Sequence, residues 1–197
     1  MRRPLRKLTL AATVLAAAVA LGACGDSHTK VTTGTYAGES GQNAPYLNVG
    51  PLVYQVQLSR ELNPANSEDA GYLEGLTPAE RKLAPGQEWF AVFIQVYNNT
   101  DTYHKAAEPE TITITDTQEN TYKPVIPDIT NHYAYRGGAV APKERVPPLD
   151  TTASFGPTQG SMVLYKIFGV SLDNRPLEVK FVNPLDPSEF ASAELDV

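Results

Sequence analysis

The sequence predicts an all-β fold, an antiparallel β-sandwich of about seven short strands with one or two short surface helices. Three observations lead there. Runs of residues alternating between apolar and polar recur along the chain, turn-forming Gly, Pro, Asn and Asp separate them, and no stretch sustains a helical period over several turns. The strongest run, Glu88-Trp89-Phe90-Ala91-Val92-Phe93-Ile94-Gln95-Val96-Tyr97, puts Phe90, Val92, Ile94 and Val96 on one apolar face and Trp89, Ala91, Phe93, Gln95 and Tyr97 on a mixed one. A face that apolar needs a second sheet to cover it. An eight-stranded barrel satisfies the same strand count and is the alternative closure.

The 197 residues suit one domain with appendages. Residues 1–23 read as an export signal: Arg2, Arg3, Arg6 and Lys7 precede an uncharged run from Leu8 to Leu21, which closes on the small pair Gly22-Ala23. That run is shorter than the roughly twenty residues a membrane-spanning helix needs. The apolar residues that usually follow a twin-arginine pair are missing after Arg2-Arg3, which favours the general secretory route.

Leu21-Gly22-Ala23-Cys24 resembles the lipobox of bacterial lipoproteins, in which the cysteine receives a diacylglycerol and becomes the first residue of the mature chain. Cys24 is the single cysteine, so no intrachain disulfide forms and attachment is its obvious use. The expected location is therefore the outer face of the cytoplasmic membrane, held there by lipid on Cys24. Cleavage before Cys24 removes four of the 16 basic residues and none of the 22 acidic ones, leaving 12 against 22 and a net charge of −10. Charge of that sign argues against nucleic acid as a partner, and against adhesion to anionic lipid through a basic patch.

Residues 24–50, rich in Gly, Ser, Thr, Asn and Gln, read as the lipidated Cys followed by a flexible tether, spanning typically about 25–30 Å. An edge strand around Thr32 to Tyr36 is the other reading of that segment. The sandwich is assigned to residues 51–182. Pro51 to Ser59 opens it as a half-buried strand with Leu52, Tyr54, Val56 and Leu58 on one face. The connection from Arg60 to Gly86 is long enough to carry helical turns. Thr77-Pro78-Ala79-Glu80 has the pattern of a capping box, and Ser67 to Leu73 is a second candidate.

After the central strand, Asn98 to Asp101 reads as a turn. Thr111 to Thr115 alternates and returns through Thr121 to Val125 as a hairpin, with Pro124 confined to an edge or strand end. His132 to Arg136 reads as a further short strand, and Ala139 to Pro157, punctuated by prolines, as an irregular wrap. Ser161 to Phe168 and Leu177 to Phe181 are strands. The acidic tail, residues 183–197, reads as frayed.

The order of these elements, with Gly86-Gln87-Glu88-Trp89-Phe90-Ala91-Val92-Phe93 running into Asn98-Asn99-Thr100, then Thr111 to Asp116 and Gly160 to Ile167, resembles a family of bacterial exported lipoproteins. The resemblance implies a telokin-like, immunoglobulin-like β-sandwich related to secreted immunoprotective antigens. It carries no catalytic residues.

The residues add little chemistry. There is no phosphate-cradling Gly-rich loop, no His-Glu-x-x-His pair, no Gly-x-Ser-x-Gly elbow and no acidic calcium loop, and the three histidines are scattered, so no cofactor, metal site or catalytic residue is assigned. Tyr103, His132, Tyr133, Tyr135 and Arg136 form the candidate partner surface, because Tyr and Arg combine contact area with a polar tip. The expected function is a non-enzymatic interaction module with a protein or glycan partner. The alternative is a carrier that binds a small ligand or metal between loops at one end of the sandwich.

Overall fold

Two layers of antiparallel strands close over the predicted apolar face. The structure is a computed structural model that describes residues 29–31, 46–169 and 177–195. The leader, Cys24, His28 and residues 32–45 of the tether lie outside the described residues.

Strands β1 (Thr29–Val31) and β2 (Leu47–Val49) precede β3 (Leu52–Leu62), which is extended by three residues beyond its predicted end. The long connection carries the two expected helices, α1 (Ser67–Tyr72) and α2 (Pro78–Arg81). At α2, Glu80 N–H donates to Thr77 Oγ1 at 3.2 Å and Thr77 N–H donates back to Glu80 Oε2 at 2.8 Å, completing the capping box. Next come β4 (Gln87–Tyr97), β5 (His104–Ala106), a single 3-10 turn at Pro109–Thr111, β6 (Thr113–Thr115), β7 (Thr121–Tyr122) and β8 (Pro124–Val125). The remainder is β9 (Gly138–Val140), β10 (Arg145–Val146), α3 (Thr152–Phe155), β11 (Ser161–Phe168), β12 (Leu177–Val182) and β13 (Phe190–Leu195).

One sheet runs β1-β13-β12-β6-β7 and the other β2-β3-β4-β11-β8, with β10 also on β4; β5 and β9 form a separate pair. These pairings are antiparallel except for β1 on β13. The all-β sandwich is therefore present as two open sheets, not as a barrel. Phe90, Val92, Ile94 and Val96 are each 0% exposed. They lie with Tyr54, Val163 and Tyr165 of their own sheet against Ile114, Val179 and Phe181 of the other. Gly160 lets β11 approach β4, since a Cβ there would sit 2.8 Å from the Ile94 nitrogen.

The mixed face of β4 is covered as well: Trp89, Ala91 and Phe93 join Leu62, Tyr72, Leu73, Met162 and Leu164 in a second apolar cluster outside the sheet. Three expectations need correction. The tail is not frayed through residues 190–195, because β13 pairs with β12 from Val182↔Phe190 to Leu177↔Leu195 and buries Ala191, Ala193 and Leu195. Two short strands, β1 and β2, lie within the stretch read as tether. The return from Thr121 to Val125 divides between layers. Tyr122 pairs with Ile114 in one sheet and Pro124 with Tyr165 in the other, where β8 is an edge strand and Pro124 needs no ladder donor.

Three tyrosine hydroxyls tie the core together. Tyr54 OH accepts from Ala107 N–H at 2.7 Å, Tyr135 OH donates to Ala107 O at 2.9 Å, and Tyr165 OH donates to Ile112 O at 3.0 Å. Each ring is buried, so each polar tip needs a partner and the segment from Ala107 to Ile112 supplies it.

Candidate functional site

The outer face of the six-stranded sheet changes character along β4. At Trp89, Ala91 and Phe93 it is apolar and lies under α1 and the turn that follows. At Gln95 and Tyr97 it is polar, matched on β3 by Gln55 and Gln57, and the register sets Gln55 opposite Gln95 and Arg145 opposite Tyr97. A β-bulge between Val56 and Leu58 separates the polar part of β3 from the apolar part.

Two segments cover this face. Residues 127–136 are pinned by Asn131, whose Nδ2 donates to Tyr72 O at 2.9 Å and Glu74 O at 2.8 Å, while its Oδ1 accepts from Tyr133 and Ala134 N–H. Residues 147–160 form a strap that leaves the sheet after β10 and rejoins it at β11. Between the two lies a cleft of about 210 Å³, lined by His132, Arg136, Val146, Pro147, Thr151 and Ser161. A second cleft of about 220 Å³ sits beside Trp89, with Leu73, Arg81 and Leu83. Both are smaller than the roughly 300–1,000 Å³ of a drug-sized ligand pocket.

The five residues predicted as a partner surface do not form one. Tyr135 points into the inter-sheet core and is 2% exposed. Tyr133 is half-buried, its ring edge-on to Tyr72 at 4.8 Å, and Tyr72 in turn meets Phe93 at 5.1 Å. The Arg136 guanidinium is spent on main-chain carbonyls of Pro127, Asp128 and Asn131, and burial lowers its pKa. His132 is exposed at the cleft, and Tyr103, 70% exposed, belongs to the loop after β4. The predicted strand from His132 to Arg136 is reduced to a single bridge, Ala134 to Met162, because Asn131 folds the preceding turn back onto α1. Asn98, read as a turn former, is that and more: its Nδ2 donates to Thr102 O, Val140 O and Ala141 O.

The strap falls largely within the segment expected to wrap irregularly, Ala139 to Pro157, but the sequence reading missed the polar layer beneath it. Leu149 and Phe155 are exposed on the strap, as is Ile129 on the neighbouring segment. Gln55, Gln57 and Gln95 are buried under cover, and Tyr97, whose phenol pKa is raised by burial against the opposing pull of Arg145, completes the layer. A signal was available, since amides at alternate positions of an otherwise apolar strand mark a face that is neither core nor free surface. Among the described residues there is no group of three His, Cys, Asp or Glu side chains placed to hold a metal ion, and no helix long and apolar enough to cross a membrane.

No family model matches the chain, and no curated protein matches it. Solved structures do. The yjhA protein from Bacillus subtilis is similar over 80% of this chain and 99% of its own, with 10% identity and a TM-score of 0.53. The lipoprotein candidate ycdA from Bacillus subtilis is similar over 76% of this chain and 38% of its own, with 8% identity and a TM-score of 0.50. An uncharacterized beta-sandwich protein from Clostridium difficile aligns over 79% of this chain and 93% of its own at 10% identity and a TM-score of 0.43. At such identities the first two likenesses show the fold alone. The fold they share with this chain is an antiparallel β-sandwich.

Proposed function

We propose that the protein is a lipid-anchored, extracytoplasmic β-sandwich that acts as a non-enzymatic interaction module for a protein or glycan partner. The observation that carries this reading is Leu21-Gly22-Ala23-Cys24, a lipobox-like end to a basic and then apolar leader, with Cys24 the single cysteine in 197 residues. The fold shared with the lipoprotein candidate ycdA supports it. The surface offered to a partner is the covered face of the six-stranded sheet, where Ile129, Leu149 and Phe155 are 83%, 67% and 79% exposed. Large apolar side chains in water on one region are a recurrent feature of interaction sites. The net charge of −10 expected for a chain cleaved before Cys24 argues against nucleic acid as a partner.

Fractionation tests the anchor: Cys24→Ala is expected to move the protein from the membrane fraction into the soluble exported fraction, and an unchanged distribution would remove the anchor from the account. Crosslinking on intact cells tests the surface, with Leu149→Ser/Phe155→Ser expected to lose adducts that the wild type forms. The carrier reading is favoured by one observation, the Arg145 guanidinium under the strap, which no carboxylate of the described residues meets.

A further inference from the structure

The strap over residues 147–160 has its polarity turned inside out. Ser154 is buried beneath it and the Gln159 carbonyl accepts from the Gln95 amide, whereas Leu149 and Phe155 stand in solvent. The layer below is a chain of polar contacts. Gln57 Nε2 donates to Gln55 Oε1 at 2.9 Å, the Tyr97 hydroxyl donates to Gln95 Oε1 and lies 3.5 Å from Gln55 Oε1, and Arg145 reaches Gln95 Oε1 at 3.4 Å and Ser154 Oγ at 2.7 Å. All of these acceptors are neutral. Arg145 Nε–H is shut away from solvent without a hydrogen-bond partner.

A half-buried guanidinium normally faces a carboxylate or phosphate in a forked pair, and leaving it with weak neutral acceptors and an idle donor is costly. A purely structural network would close on itself. This one ends on an open fork. The strap above it holds to the sheet through small residues, Pro147, Ala153, Ser154 and Thr158, while its two large apolar side chains, Leu149 and Phe155, stand in water. Its return end offers the hinge: Gln159 takes a left-handed φ of 48°, and the next residue, Gly160, is pinned against Ile94.

We propose that the strap covers a binding site for an acidic sugar, whose carboxylate pairs with Arg145 and whose hydroxyls meet the amides of Gln55, Gln57 and Gln95. The register supports this assignment. Gln55, Gln95 and Arg145 come from three adjacent strands, β3, β4 and β10, spaced about 5 Å apart, so their tips span one sugar ring and its substituents. An amide both donates and accepts, as a hydroxyl does, which suits a polyol better than a bare carboxylate. Tyr46, 65% exposed and edge-on to Tyr97 with ring centroids 6.4 Å apart, adds an aromatic face beside the site. The inference rests on the carrier reading, which the same Arg145 favours, and names its small ligand by chemistry.

The test is a titration of the detergent-solubilised full chain, labelled with nitrogen-15, with D-glucuronate, and with D-glucose and acetate as controls. Glucuronate is expected to shift the Arg145 Nε–H resonance saturably, with at least about tenfold weaker binding of glucose and acetate. Arg145→Met should lose about tenfold or more in affinity. Ser154→Ala, which frees the guanidinium from a competing acceptor, should tighten binding, an effect that a merely structural Arg145 would not show. An Arg145 resonance unmoved in the wild type overturns the proposal without recourse to any variant, and so do equal responses to glucuronate, glucose and acetate. That failure is separable from failure of the anchor, because glucuronate binding does not depend on whether Cys24 carries lipid.

Discussion

Replacing Tyr165 by Phe removes one oxygen and leaves the ring in place. Tyr165 lies on β11 with 0% exposure, and its hydroxyl donates to Ile112 O at 3.0 Å, linking the six-stranded sheet to the segment that enters the other. Phe preserves the apolar burial, so the substitution isolates that bond. An acceptor left buried without its donor costs about 1–3 kcal/mol. For a domain of this size each kcal/mol lowers Tm by roughly 2–4 °C, so a central value of about 2 kcal/mol predicts a fall of roughly 4–8 °C. Thermal and urea unfolding followed by circular dichroism and by tryptophan fluorescence measure it, with Tyr103→Phe as the exposed control expected to stay within about 0.5 kcal/mol of wild type. Equal stability of the two variants would refute the assignment of Tyr165 to a dry bridge between layers.

Two other perturbations follow from the same core. Burial pushes the Tyr54 phenol up to about 12 and raises Tyr135 and Tyr165 well above the ordinary value of 10. Because the native pKa is the higher one, only the unfolded chain releases these protons just above pH 10. Stability is therefore complete below that value and is lost as pH rises, by on the order of 1 kcal/mol per tyrosine per pH unit. Urea midpoints that stay constant from about pH 9 to 11 would contradict this. Ending the chain after Asn183 deletes β13 and uncovers Leu177, Val179 and Phe181 on β12, and the product is expected to lose the cooperative unfolding transition of the full chain. A truncated protein that unfolds like wild type would mean that β13 adds nothing.

Alternation marked which side chains face the inter-sheet core, although β4 and β11 are buried on both faces. β4, β11 and β12 stand where alternation puts them, and Thr77 with Glu80 announced α2. β13 was illegible because Phe190-Ala191-Ser192-Ala193-Glu194-Leu195 has small residues where a strand usually carries β-branched ones. Its partner β12 makes it a strand, and a neighbour in space leaves no local mark. The change of layer at Lys123 was hidden for a similar reason, since Thr121 to Val125 alternates continuously while belonging to two sheets. Alternation also misled at Tyr133 and Tyr135. In a strand they would share a face, but the Asn131 turn sends one ring to Tyr72 and the other into the core.

Gln95 shows where sequence reasoning stops short of function. Its position on the mixed face was plain, but what covers that face comes from a strap whose residues lie more than fifty positions away. Local pattern could mark the amides as misplaced in a core strand. It could not pair them with Arg145.

Intact mass spectrometry of the protein isolated from membranes addresses the anchor most directly. A chain that begins at Cys24 with its sulfur in a thioether to diacylglycerol is the predicted result. A mature chain whose amino terminus lies upstream of Cys24, or one in which that thiol is free, would contradict it.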